Sequence, residues 1–145
     1  MRGLVYIDTS VLAKWYLNED RSEEAAEFIE ARLPVSISTL TVVEMRSLLR
    51  RRRRAREIPP EIEMRILATL EDDQRRGALV RVPVGDETFL GAATILAALP
   101  GHPLRTLDAL HLAVARDSGA SALATADRVL VPAAAALGIH VHGFG

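Results

Sequence analysis

The chain has 145 residues, 49% of them apolar, and a net charge of −1 at pH 7. That length and apolar share suit one domain, residues 1–145, with a sizeable core, while the charge excludes any nucleic-acid argument from overall balance. Cysteine is absent, which excludes a disulfide framework, a thiol nucleophile and a Cys-ligated zinc; no apolar stretch reaches the roughly 18 residues of a membrane span, so the expectation is a cytoplasmic protein without a membrane partner.

Leu4-Val5-Tyr6-Ile7 reads as a short strand, apolar on both faces and therefore central in a parallel sheet covered on each side by helices. It stops at Asp8, which Thr9, Ser10 and a helical stretch over Val11–Leu17 follow. Ser22 is placed to cap a second helix over Glu23–Arg32, which Pro34 breaks. Val35–Ser38 alternates and reads as the second strand. Thr39 or Thr41 then caps a long helix to about Arg54, and Pro59-Pro60 leads into an amphipathic helix over Glu61–Arg76, stopped by Gly77.

Leu79–Val82 is the third strand. Asp86 caps a helix through Leu99, Pro100–Pro103 is a loop, and Thr106 caps a helix over Leu107–Asp117. Ser121–Ala124 is a strand, Asp127–Val131 a turn, and Pro132 suits the first position of a short helix ending at Leu137. Ile139–Val141 is the last strand. Strands alternating with helices predict an α/β fold, a three-layer α/β/α sandwich around a mostly parallel sheet.

Four acids do not fit a solvated face. Asp8 ends a buried strand, Glu44 lies in Thr41-Val42-Val43-Glu44-Met45, Asp108 in Leu107-Asp108-Ala109-Leu110, and Asp127 just past a short strand. In a parallel sheet, strand carboxyl ends and helix N-termini share one edge, where ligands bind. All four carboxylates would converge there. Like charges at close range raise one another's pKa values, and a divalent cation removes that cost. Oxygen donors without Cys or an obligatory His suit Mg²⁺ or Mn²⁺ better than Zn²⁺. Each acid also has a plain structural role open to it. Asp8 can be a helix cap, Asp108 a helix N-terminal acid, Asp127 a turn residue, and Glu44 the partner of Thr41 in a capping box.

The remaining chemistry-bearing residues are sparser. Arg50–Arg54 is unbroken, and its arginines spread around a helix. RNA, a protein partner and plain solvation all remain open for it. His111 reads as a core or site-edge residue rather than a base. His140 and His142 form no ligand set with a third partner, and Trp15 and Tyr16 read as packing or partner contacts.

The pattern resembles the PIN-domain ribonucleases, and among them the VapC-type toxins of toxin–antitoxin pairs. The matching pieces are Tyr6-Ile7-Asp8-Thr9-Ser10-Val11-Leu12, Thr41-Val42-Val43-Glu44, Leu104-Arg105-Thr106-Leu107-Asp108-Ala109-Leu110-His111-Leu112-Ala113 and Leu123-Ala124-Thr125-Ala126-Asp127-Arg128. The resemblance implies a metal site on Asp8, Glu44, Asp108 and Asp127. Asp8 and Asp108 would be direct ligands, and Glu44 and Asp127 ligands direct or through water. Ser10 resembles the family's hydroxyl near the metal; Thr9 and Thr125 match less well. The implied activity is Mg²⁺-dependent endoribonuclease cleavage leaving 5′-phosphate and 3′-hydroxyl ends. The implied partners are an RNA substrate, a cognate VapB-like antitoxin and a second copy of the chain in a homodimer. Two other readings stay open. One is a non-catalytic PIN module that binds RNA or protein. The other is a haloacid-dehalogenase-like phosphohydrolase, which wants a second Asp where this chain has Ser10.

Overall fold

A computed structural model describes residues 3–145. Strand β1 (Val5–Ile7) leads into α1 (Thr9–Tyr16), α2 (Ser22–Glu30), β2 (Val35–Ser38), α3 (Thr39–Arg54) and α4 (Pro60–Arg75). There follow β3 (Leu79–Val82), α5 (Asp86–Ala98), α6 (Thr106–Asp117), β4 (Ala122–Thr125), α7 (Leu130–Ala136) and β5 (Val141–Gly143). The sheet runs β3-β2-β1-β4-β5, and every neighbouring pair is parallel.

Strand side chains alternate between faces, and here they feed two separate cores. Ile7, Ile37, Leu79 and Ala124 pack with α1, α2, α3 and α4, while Tyr6 and Leu123 pack with α5, α6 and α7. Tyr6 and Ile7 are fully buried on opposite faces of the same short strand. A strand apolar on both sides needs helices on both sides, which produces the three-layer α/β/α sandwich.

The chain builds β2 and β3 on one side of β1, then returns to lay β4 on the other. The strand order therefore reverses between β1 and β4. At such a switch point successive connections diverge and leave a crevice outside the strand carboxyl ends. Asp8 and Asp127 follow the two strands that flank it.

Several boundaries differ from the sequence expectations, mostly by one residue. Arg21, at φ 62°, precedes α2, and Ser22 starts the helix instead of capping it. The Ser22 hydroxyl donates to Leu17 O and accepts from Glu19 N–H, closing the α1–α2 turn. Ser38 caps α3, and the Thr41 hydroxyl accepts from the Ser38 N–H at 3.1 Å. Gly85 and Arg105 hold the cap positions expected of Asp86 and Thr106, which are the first residues of α5 and α6. α7 begins at Leu130, so Pro132 is its third residue; the first turn has no intrahelical N–H bonds to lose, and Pro fits there. β5 lies two residues later than Ile139–Val141, because Gly138 (φ 76°) turns the chain and Leu123 N–H pairs with His140 O.

Candidate active site at the carboxyl edge of the sheet

Asp8 is the N-cap of α1 and is only 3% exposed. Its Oδ1 accepts from the Ser10 hydroxyl at 2.5 Å and Val11 N–H at 3.2 Å; its Oδ2 accepts from the Thr125 hydroxyl at 2.5 Å. The capping role is real, but a helix cap needs one backbone contact. Two hydroxyls, one in the first turn of α1 and one at the end of β4, are more than a cap requires. The Ser10 oxygen also accepts from Ala126 N–H at 2.8 Å, which ties the exits of β1 and β4 together. Burial pushes the Asp8 carboxyl above its ordinary pKa, although His111 and these hydrogen bonds pull the other way.

Glu44 sits in the second turn of α3 and is half-buried. The capping box with Thr41 does not form, because Ser38 is the cap and Thr41 serves it. Instead Glu44 Oε1 accepts from the Thr9 hydroxyl at 2.6 Å and meets His111 Nε2 at 2.5 Å. Burial alone would raise its pKa. The hydrogen bond and charge of His111, the Thr9 hydroxyl and the Arg51 charge outweigh burial and hold it below the usual value.

Asp108 is the third residue of α6, where its Oδ2 accepts from Arg105 N–H at 2.9 Å. Asp127 follows β4, with its N–H on the Thr125 hydroxyl at 3.0 Å and its Oδ1 accepting from Val129 N–H at 2.9 Å. Both plain structural roles therefore exist. The two carboxyls also face each other. Burial raises the Asp108 pKa; the Arg105 N–H opposes this, and the Asp127 charge adds to it. Nothing in helix capping calls for two acids in mutual repulsion.

Glu44, Asp108 and Asp127 line one cleft of about 690 Å³ with Arg105, Leu107 and Val129. A second cleft of about 250 Å³ holds Thr9, Ser10, Ser47 and Arg51, and it shares Glu44 and Leu107 with the first. Asp8 lies behind Ser10, out of both linings. The four acids thus occupy one edge. Among the described residues, however, no three acids or imidazoles stand as a ready-made metal cage. The donor chemistry fits a hard divalent cation: all oxygen, ionisable, with an uncompensated Asp108–Asp127 pair.

The arginine run divides into different tasks. Arg50 and Arg53 both hold the buried carboxylate of Glu63 on α4, at 3.1 and 2.9 Å. Arg52 pairs with Glu19 and Glu57 at 2.9 and 3.4 Å. Arg51 alone of the run lines the clefts, its guanidinium donating to the Ser47 hydroxyl at 2.9 Å. Sequence reasoning missed Arg105, which lines the larger cleft. It gave His111 no task either, although the i, i+3 spacing from Asp108 puts both on one face of α6.

The chain matches the family described as PIN domain over residues 5–135. The chain belongs to the PIN domain family. This PIN domain superposes on Mycobacterium tuberculosis VapC20, a sarcin-ricin-loop-cleaving toxin, with a TM-score of 0.66 and 20% identity over 82% of this chain and 86% of that one. It is also similar to FitAcB from Neisseria gonorrhoeae, with a TM-score of 0.68 and 17% identity over 95% and 96% of the two chains. DNA-bound VapBC from Salmonella typhimurium gives 0.67 and 19% over 100% of each. At these identities the likeness speaks for the fold. A comparison with curated proteins gave no match. Among the described residues, no helix of this PIN domain is long and apolar enough to cross a membrane.

Proposed function

We propose that this PIN domain is a metal-dependent endoribonuclease, the toxin of a toxin–antitoxin pair. The observation that carries the reading is the placement of Asp8, Glu44, Asp108 and Asp127 on one edge at the β1/β4 switch point, with Glu44, Asp108 and Asp127 lining one cleft. Asp8, Asp108, Glu44 and Asp127 would hold Mg²⁺ or Mn²⁺, which when bound supplies Lewis acidity and charge neutralisation at the phosphodiester.

The chain's own groups supply the rest. Ser10, Val11 and Thr125 fix the Asp8 carboxylate against rotation. Thr9 and His111 hold Glu44 ionised beside the groove. Acidic walls repel phosphate, so cations must hold the strand on either side of the reacting bond. Arg51 lines the smaller cleft and Arg105 the larger, and they suit that task.

The toxin–antitoxin placement draws on VapBC and FitAcB as structural relatives. A VapB-like antitoxin would cover the acidic groove. A homodimer has a candidate surface on α5, where Phe89 (55% exposed), Ala93, Leu96 and Ala97 form an uncovered apolar stripe. Ser10 offers no second nucleophilic carboxylate, and its hydroxyl is spent on Asp8 and Ala126. The phosphohydrolase reading therefore gains nothing from the site.

The test is cleavage of short RNA by purified protein with Mg²⁺, with chelator, and with Asp108→Asn. Cleavage that requires both the metal and Asp108 supports the reading. Binding of RNA without metal-dependent cleavage would favour the non-catalytic module.

A further inference from the structure

We propose that His111 is a positioning residue that commits one oxygen of Glu44 inward and leaves Oε2 as its single oxygen for a metal ion. The inference rests on the metal-site reading above.

His111 is 4% exposed, in the middle of the core face of α6, and both ring nitrogens are engaged. Nε2 meets Glu44 Oε1 at 2.5 Å; Nδ1 meets the Tyr6 hydroxyl at 2.7 Å. An ionised carboxylate only accepts, so Nε2 carries the proton in that contact. Behind the ring the chain continues. The Tyr6 hydroxyl donates to Ser38 Oγ at 2.9 Å, and Ser38 Oγ lies 3.4 Å from Thr41 Oγ1. Tyr6 and Thr41 are fully buried and Ser38 is too. These residues come from β1, β2, α3 and α6, so the network spans the sheet beneath the site.

Nothing in packing demands this. An apolar residue at position 111 would fill the α6 core, as Leu110 and Leu112 do on either side. A buried polar chain costs desolvation at each member and is stable only when every member is satisfied; here no buried side-chain polar atom lacks a partner among the described residues. The chain ends on a single atom, Glu44 Oε1, which Thr9 also holds. Oε2 makes no hydrogen bond to protein among the described residues, and Glu44 is shared by both clefts. Outer partners that orient a ligating carboxylate typically change metal affinity about 10–100-fold when removed.

Two substitutions separate the ring's halves. His111→Gln can place an amide N–H near the Nε2 position, against Glu44. His111→Asn reaches only the Nδ1 position, against Tyr6. Mn²⁺ binding is measured by calorimetry in the wild type, both variants, Glu44→Gln, and the two double variants, with thermal unfolding as the folding control. The expected result is that His111→Asn weakens Mn²⁺ by about tenfold and His111→Gln by less than about threefold. In the Glu44→Gln background the two should be equal, since a neutral amide no longer provides the oriented anion. Equal losses for Asn and Gln with Glu44 intact would overturn the inference and leave the metal site standing. The same Asn–Gln gap without Glu44 would also overturn it, because His111 would then act by another route. No Mn²⁺ binding by folded wild type would overturn the metal-site reading and this inference together.

Discussion

Asp8 and Glu44 share one edge but are tuned in opposite directions. Burial with few compensating charges lifts the Asp8 carboxyl, and burial together with Asp127 lifts Asp108, whereas His111, Thr9 and Arg51 hold Glu44 down. For the two raised acids, the folded protein binds its proton more tightly than the unfolded chain. Their contribution to stability therefore falls as pH rises from the ordinary carboxylate value through the raised one, and stays low above it. A cation binding these carboxylates relieves the penalty only where they are ionised. Mg²⁺ or Mn²⁺ is expected to raise the unfolding midpoint more at about pH 7.5 than at about pH 4.5, read by scanning calorimetry. An equal rise at both would contradict it. Glu44 carries the opposite sign, so its contribution is lost as pH falls through its depressed value. Asp108→Asn removes a repelling charge, so it should leave the midpoint unchanged or raise it while cutting cleavage by about 100-fold or more. The sequence exposed all four acids because each interrupts an apolar stretch. The resemblance pointed to Ser10, and less well to Thr9 and Thr125, as hydroxyls near them; it did not show which acid each holds, since the Thr125–Asp8 contact joins residues far apart in the chain.

The elements around the site are held by buried acids whose partners lie on neighbouring helices. Tyr16 on α1 donates to Asp73 on α4 at 2.6 Å, and Arg76 reaches the same carboxylate at 2.6 Å. Burial and that carboxylate both push the Tyr16 hydroxyl pKa up, so it donates throughout the physiological range. Tyr16→Phe is expected to cost about 1.5–3 kcal/mol in chemical denaturation, the range for a hydrogen bond to a charged group, with no loss of RNA cleavage per folded molecule. Within α3, the arginines predict different salt responses. Arg51→Ala and Arg105→Ala should each reduce the slope of log RNA affinity against log salt by about 1, whereas Arg52→Ala, tied to Glu19 and Glu57, should leave it unchanged. Equal slopes for all three variants would mean Arg51 and Arg105 do not hold phosphate. The run itself was legible in the sequence, but its division was not, because Glu63 and Glu19 meet it only after α3, α4 and the α1–α2 turn have packed. The starts of α3, α5 and α6 were misplaced for a related reason. Ser38, Gly85 and Arg105 are extended and cap through the backbone or a reciprocal bond with the third helical residue, so the hydroxyl or acid next along looked like the better cap.

Across the whole molecule, the parallel order β3-β2-β1-β4-β5 turns separate sequence motifs into one place. Every strand delivers its carboxyl end to the same edge, and the reversal between β1 and β4 opens the crevice there. The shared edge followed from alternating strands and helices with acids at the strand exits; the reversal did not, because that pattern leaves the strand order open. The resemblance implied a homodimer, but the surface proposed for it did not follow from the sequence, because Asp86–Leu99 reads only as a helix until the fold leaves Phe89 and Leu96 uncovered. Phe89→Glu is expected to convert a dimer to a monomer in light scattering, with the unfolding midpoint little changed at low concentration; a wild type monomeric at high concentration would contradict the dimer. The proposed activity is RNA cleavage at this edge with a metal held by these acids. Its most direct test is end-mapped cleavage of a total-RNA pool by folded, antitoxin-free protein, comparing Mg²⁺, chelator and Asp108→Asn. Discrete fragments with 5′-phosphate and 3′-hydroxyl ends that vanish with chelator and with the variant are expected. Cleavage that survives both, or no cleavage in any lane, would contradict it.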